Sequence, residues 1–447
     1  MRRDDRRDSW FDRLFSLAAG AVLLLGTDSS EAERPAVESI TPPAILSTHL
    51  LEDAALPLPD SARPESHALG FRMGGISDLV ALTGRGDRTE LWGVTDRGPN
   101  GMVPKPGSDG GPADMLRTLP VPEFVPLLVR LEIVPSEVNM AEGTLRIVET
   151  RPIVTSGGSP TSGRPAVPPP RGKTMVDPAT ARVMPVDPDG VDSEGLAPAP
   201  GGGFWLAEEY APSLLLLDAS GRAVRRLVPE GVTLGGAGCD VVASLPECCL
   251  RRQDNRGFEA LAASPDGRRF FAMLQSPPEA RPDASAQVRI RVPLLVLDAA
   301  DGTLLETLHY PLGTPGTGHD EILAADGKIS AIAAIDDHRL LVLEQSATES
   351  RLWEIDVDAA SDGEVTKSLV ADLAPLADRF AADITPGSLA PAKLSDLKFE
   401  GLALLGTGTV ALINDNDFDM DAAGAAPASP PIRRTCLWVV AIGDGSR

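Results

Sequence analysis

The sequence repeats one pattern: a short apolar strand opened by a small or acidic residue, a turn, and a second apolar strand that ends in a carboxylate or an amide. Five such units can be read. They are Gly74 (GGISDLVAL) with Leu91–Asp96 (LWGVTD), Asp192–Ala197 (DSEGLA) with Phe204–Glu209 (FWLAEE), and Gly257–Ala262 (GFEALA) with Phe270–Gln275 (FFAMLQ). Ile329–Ile335 (ISAIAAI) with Leu340–Glu344 (LLVLE), and Phe399–Leu404 (FEGLAL) with Val410–Asp415 (VALIND), complete the set. Further strands follow several pairs, among them Ser213–Asp218 with Arg222–Val228, Val292–Asp298 with Thr303–Tyr310, and Arg351–Val357 with Glu364–Leu369. Self-similarity at a fixed period means stacked units, and three or four antiparallel strands about 65 to 70 residues apart correspond to a propeller blade. The expected fold is therefore all-β: a β-propeller of about five to six four-stranded blades with long irregular loops. The first two units stand almost twice as far apart as the later ones, so a sixth blade or a large insertion is expected between them.

Composition agrees with that reading. Gly 43 and Pro 41 punctuate short apolar runs, and 43% hydrophobic residues suffice for a large core. Helical 3.6-residue periodicity is nearly absent. Ser156–Lys173, Pro277–Gln287 and Asp419–Pro431 read as irregular loops. The apolar run Ala44–Leu51 is expected to pair with Thr435–Ile442 and close the ring, which removes exposed strand edges. Residues 33–66 then form a linker that carries this strand, and 67–447 the propeller domain. Residues 1–32 form a signal peptide or N-terminal anchor, with the apolar run Leu14–Gly26 behind Arg2, Arg3, Arg6, Arg7 and Arg13. A periplasmic or secreted protein is the expectation, with no membrane contact beyond that anchor.

A formal net charge of −23 excludes nucleic acid as a partner, because it offers no basic footprint for phosphates. The expected partner is a small molecule, and the expected state a monomer. His49, His67, His309, His319 and His338 show no metal-like or triad-like spacing, which argues against zinc. Cys239, Cys248, Cys249 and Cys436 contain no C-x-x-C; two disulfides, Cys239 with Cys248 and Cys249 with Cys436, or four free thiols are both open.

In a propeller, equivalent ends of the innermost strands meet at one mouth of the central channel. The candidates there are Asp78, Asp96, Glu194, Glu209, Glu259, Glu344, Glu400, Asp415 and Asp417, with Asn255, Asn414 and Asn416 adding neutral oxygens. Glu194, Glu259 and Glu400 recur in one context, E-[G/A]-L-A. So many carboxylates raise one another's pKa, and a hard cation with six to eight oxygen ligands relieves that. The expected metal ligands are Asp78, Glu194, Asn255, Glu259, Glu400, Asn414, Asp415 and Asp417, and the expected ion is a divalent cation, calcium first. Asp96, Glu209 and Glu344 are the expected catalytic carboxylates, the last two as general base. Arg97 or Lys398 would stabilise developing negative charge.

GGISDL at Gly74–Leu79, TDRGPNG at Thr95–Gly101, DSEGLA leading to FWLAEEYAP at Phe204–Pro212, and NRGFEALAASPDG at Asn255–Gly267 together resemble the phytase-like family, described by an esterase-like activity of phytase. LLVLEQS at Leu340–Ser346 and KFEGLALL leading into NDNDF at Asn414–Phe418 continue the resemblance in order. It implies a propeller-like domain, several catalytic Asp and Glu residues and an exported bacterial setting. Two positions depart from the family pattern: Gln345 stands where an Arg commonly follows the strand-end Glu, and Ala260 replaces a Gly. The resemblance leads to a metal-dependent hydrolase of an ester or phosphoester. A ligand-binding propeller with a structural metal, and a lactonase-like propeller enzyme, remain open.

Overall fold

Each of the five repeated units builds a sheet of four antiparallel strands, in chain order in four of the five, in a computed structural model of the protein. The structure describes residues 41–81, 89–105, 115–168, 174–253, 255–278, 291–313, 327–387, 393–421, 423–429 and 432–443. The leader expected over residues 1–32 lies outside them, and no helix among the described residues is long and apolar enough to cross a membrane.

Sheet I contains Ile76–Ala81, Thr89–Thr95, Leu127–Pro135 and Glu142–Pro152. Sheet II contains Ser193–Pro198, Phe204–Glu208, Ser213–Leu217 and Arg222–Pro229, extended in parallel by Asp240–Leu245 and Val154–Thr155. Sheet III contains Phe258–Ala263, Arg269–Leu274, Arg291–Asp298 and Leu304–Pro311; sheet IV, Lys328–Ala334, Arg339–Gln345, Ser350–Asp356 and Lys367–Asp372. Sheet V contains Phe399–Gly406, Thr409–Asn414, Cys436–Ala441 and, from the other end of the chain, Ala44–Leu51. That last strand also pairs in parallel with Glu142–Pro152 and so joins sheet V to sheet I.

The apolar pattern dictates which strand lies inside. The first strand of each sheet is buried along nearly its whole length, as a continuous apolar run requires, whereas Glu142–Pro152, Leu304–Pro311 and Lys367–Asp372 alternate between partly buried and exposed positions. The five first strands neighbour one another in a closed cycle, I–II–III–IV–V–I. Apolar cores fill the spaces between successive sheets. Trp92 of sheet I meets Phe204 of sheet II, and Trp205 stacks on Phe270 of sheet III at 4.6 Å. The short helix Ala377–Ile384 tucks Phe380 between Phe399 and Trp438.

The long interval between the first two units holds an insertion, not a sixth unit. Gly101–Pro104, Met115–Thr118, Met175–Asp177 and Arg182–Val183 form a small separate sheet that contributes nothing to the inner cycle. The four cysteines are free thiols, so neither of the two disulfides considered above is formed.

Candidate functional site

One irregularity is repeated in every sheet. The first and second strands lose register by one residue, through a bulge at Ser77, Glu194, Glu259, Ser330 and Glu400 respectively. A bulged residue is unpaired and re-aims its side chain, which is how glutamates come to stand in otherwise apolar inner strands. The glycine after two of them allows close approach of a neighbouring strand. A Cβ on Gly195 would lie 2.6 Å from the Glu259 carbonyl oxygen, and one on Gly401 would lie 3.1 Å from the Asp78 backbone. Asp78, expected beside the glutamates, is one residue out of step: Ser77 is their equivalent. The Asp78 carboxylate instead accepts the backbone N–H groups of Leu79 and Leu196, both at 2.8 Å, and that of Leu402, so it ties three inner strands together and is no metal ligand.

The second strands end at equivalent positions in Asp96, Glu209, Gln275, Gln345 and Asp415, each following the last residue paired before the bulge. Two of these side chains bond the bulge residues of their own sheets: Gln275 donates to Glu259 at 2.7 Å, and Gln345 to Ser330 at 2.6 Å. The residue before them points the other way, as strand alternation demands. That is the position of Glu344, which is therefore not a base at the mouth. It accepts the Tyr310 hydroxyl at 2.7 Å, the Lys367 ammonium at 2.6 Å and the Gly313 N–H at 2.9 Å, between sheets III and IV. Glu208 repeats the arrangement with Arg226 and Ser213. Asn414, also at this position, accepts the Cys436 N–H at 2.7 Å and donates to the Arg434 carbonyl, so it too is not a ligand.

A third set lies two residues before each bulge: Gly75, Asp192, Gly257, Lys328 and Lys398. Asp192 and Lys328 escaped the sequence reading. The D-x-E spacing of Asp192 and Glu194, and the match of Lys328-Ile-Ser with Lys398-Phe-Glu, were the available signals. Arg117, from the inserted sheet, has no counterpart in the repeat.

Together these sets build a polar mouth rich in acids, with a few cations among them. Arg97, 2% exposed, forms ion pairs with Asp192 and with Glu209 at 3.7 Å, donates from Nη2 to Asn255 Oδ1 at 2.8 Å, and lies 5.0 Å over the Tyr210 ring. Lys398 binds Asp417 and, at 2.8 Å, Asp415; Lys328 reaches Glu400 at 3.4 Å. Burial, then the charges of Asp96, Glu259, Glu209 and Glu400, push the Glu194 carboxyl well up. Burial also raises Glu259 strongly, with Glu209 adding to it. Burial pushes Glu209 up to about 7 against the pull of Arg97 and Arg117, and Asp415 up to about 8 against Lys398. Burial acts likewise on Asp417, but Lys398 and Arg433 outweigh it and hold that carboxyl at about 2.

Of all the expected ligands, only Glu194 belongs to a group compact enough for one ion. Asp96, Asp192 and Glu194, all buried, each offer an oxygen within 4.8 Å of the others. Glu259, Glu400, Asp415 and Asp417 are engaged by Gln275, Lys328 and Lys398, and Asn255 by Arg97, although Glu259 Oε2 is buried without a hydrogen-bond partner among the described residues. The trio suits a hard divalent cation by its donor set. Asp192 Oδ1 and, beside the trio, Glu209 Oε1 are buried without a hydrogen-bond partner among the described residues, as expected of oxygens awaiting a cation or substrate.

The phytase-like family profile, described as esterase-like activity of phytase, matches residues 72–418. The chain belongs to this family. No curated protein matches the sequence. Among solved structures, the chain is similar to a luciferin-regenerating enzyme (13% identity, TM-score 0.34, 83% of this chain and 94% of that one) and to virginiamycin B lyase from Staphylococcus aureus (10%, 0.30, 88% and 99%). It is also similar to hydrazine synthase of Kuenenia stuttgartiensis (12%, 0.26, 53% and 48%), of which it spans about half the length. Likenesses this distant carry no inference about chemistry.

Proposed function

We propose that the five sheets are blades of a five-bladed propeller, and that its polar mouth hydrolyses an ester or phosphoester bond of a small molecule with the help of a divalent cation, calcium first. The observation that carries the reading is the buried Asp96–Asp192–Glu194 trio, in a chain whose family is described by an esterase-like activity. The closed cycle of first strands supports the propeller.

Asp96, Asp192 and Glu194 would hold the cation, which when bound supplies Lewis-acid polarisation of the ester oxygen and a more acidic water. Glu209, with a buried unpartnered oxygen and a carboxyl held at about 7, is suited to take a proton from the attacking water and return it to the leaving group. Arg97 keeps Nε and Nη1 free of hydrogen bonds among the described residues and is placed to donate to charge that develops on the reacting group. The same proposal includes export to the periplasm or beyond and action as a monomer.

The test is turnover of p-nitrophenyl phosphate, p-nitrophenyl acetate and a simple lactone by the chelated and the calcium-loaded protein. Calcium-dependent cleavage of one of them, lost in Glu194→Gln and Glu209→Gln variants that remain folded, supports the reading. Calcium binding without turnover of any of the three reduces the mouth to a binding site.

A further inference from the structure

The mouth has two unlike halves. Around the carboxylate trio, Asp96, Asp192, Glu194 and Glu209 face Arg97 and Arg117, and Glu209 also feels Lys328, which still leaves an excess of negative charge that a divalent ion balances. Across the cycle, Glu259, Glu400, Asp415 and Asp417 face Lys328, Lys398, Arg256 and Arg433, so charge is formally even there. An anionic group is repelled in the first half and not in the second.

Lys328 and Lys398 are the same position in sheets IV and V, two residues before the bulge. Both ammonium groups approach one carboxylate oxygen, Glu400 Oε1, at 3.4 and 3.9 Å. Those distances exceed the roughly 2.7–2.9 Å of a charge-assisted hydrogen bond, so Glu400 engages neither lysine fully. An ammonium carries three donors, and the hydrogen bond of Lys328 among the described residues is the long one to Glu400. Their side chains are 22% and 26% exposed, so a ligand can reach them.

We infer that Lys328 and Lys398 form a two-lysine seat for an oxoanion of the substrate, a carboxylate or phosphate group that inserts between them beside Glu400, in the same mouth as the carboxylate trio. This deepens the hydrolase reading and rests on it for the word substrate; the seat itself is a binding claim. It makes Lys328 a specificity-determining residue: the molecule cleaved carries an anionic group distinct from the group that faces the cation site.

The experiment is calorimetric titration of the chelated full-length protein with inorganic phosphate and, separately, with benzoate, on wild type, Lys328→Met, Lys398→Met and the charge-retaining Lys328→Arg. Each is checked by thermal melting, and Lys328→Gln serves as second variant, since its amide keeps a hydrogen bond to Glu400. At least about tenfold weaker anion binding in the neutral variants is expected, with recovery in Lys328→Arg. The tighter-binding anion identifies the oxoanion class. Absence of binding of both anions to wild type, or unchanged binding in folded Lys328→Met and Lys398→Met, overturns the seat. Calcium titrations run in parallel separate the two claims: anion binding that depends on Lys328 in a protein that binds no calcium supports the seat while removing the metal from the hydrolase reading.

Discussion

Acid should open the ring at one identifiable seam. Ala44–Leu51 is the strand shared by sheets V and I, and His49 lies on it opposite Leu437 on one side and Gly143 on the other. Its imidazole is fully buried; Nε2 pairs with the Ser47 hydroxyl at 2.9 Å, and a Cβ on Gly143 would sit 2.4 Å from Nδ1. Burial lowers its pKa from 6.5 to about 4, offset only in part by a hydrogen bond to the Val134 backbone. Between those two values the unfolded chain binds the proton and the folded one does not. The contribution of His49 to stability is therefore complete above about 6.5 and is lost as pH falls towards 4, a loss of about 3 kcal/mol at 1.36 kcal/mol per pH unit. Urea unfolding followed by tryptophan fluorescence at pH 7, 5.5 and 4, on wild type and His49→Gln, measures it. The stability of wild type should fall more steeply than that of the variant, by about 3 kcal/mol across the range. Parallel pH profiles for the two proteins would refute the reasoning.

Two further outcomes follow from the site. Glu344→Gln removes a carboxylate paired at 2.6 Å with the Lys367 ammonium, whose side chain is wholly buried, and should cost about 3 kcal/mol of stability in urea unfolding while the folded protein keeps its ester turnover; loss of turnover at unchanged stability would return Glu344 to the mouth. With Glu209 as base, kcat/KM should rise with pH through an apparent pKa at or below about 7, because a bound cation favours the carboxylate, and Glu209→Gln should remove that rising limb. A limb that survives the substitution belongs to another group.

Much of this architecture was legible in the repeats. The apolar pairs mark the first two strands of each sheet, and the recurrent E-[G/A]-L-A context marks the bulges at Glu194, Glu259 and Glu400. Errors arose where one residue decides the direction of a side chain. Asp78 and Glu344 each stand one position from the residues that face the mouth, Ser77 and Gln345, and in a strand one position is the opposite face. Those two equivalents are neutral, so a pattern of acids marks the neighbouring position instead. Lys328 and Asp192 were hidden because their position carries glycine, acid or lysine from sheet to sheet, and no residue type recurs to announce it. Arg117 comes from the insertion, where no repeat exists to compare.

The central claim is that Asp96, Asp192 and Glu194, and not the wider set of carboxylates, hold a divalent cation. Anomalous diffraction from crystals soaked in manganese, with a second data set in calcium, locates the ion directly. The account predicts one peak at the mouth, coordinated by an oxygen from each of these three residues at about 2.1–2.6 Å, and none in Asp192→Asn crystals. A peak held by Glu259, Glu400 or Asp415, or an empty trio at saturating metal, would contradict it.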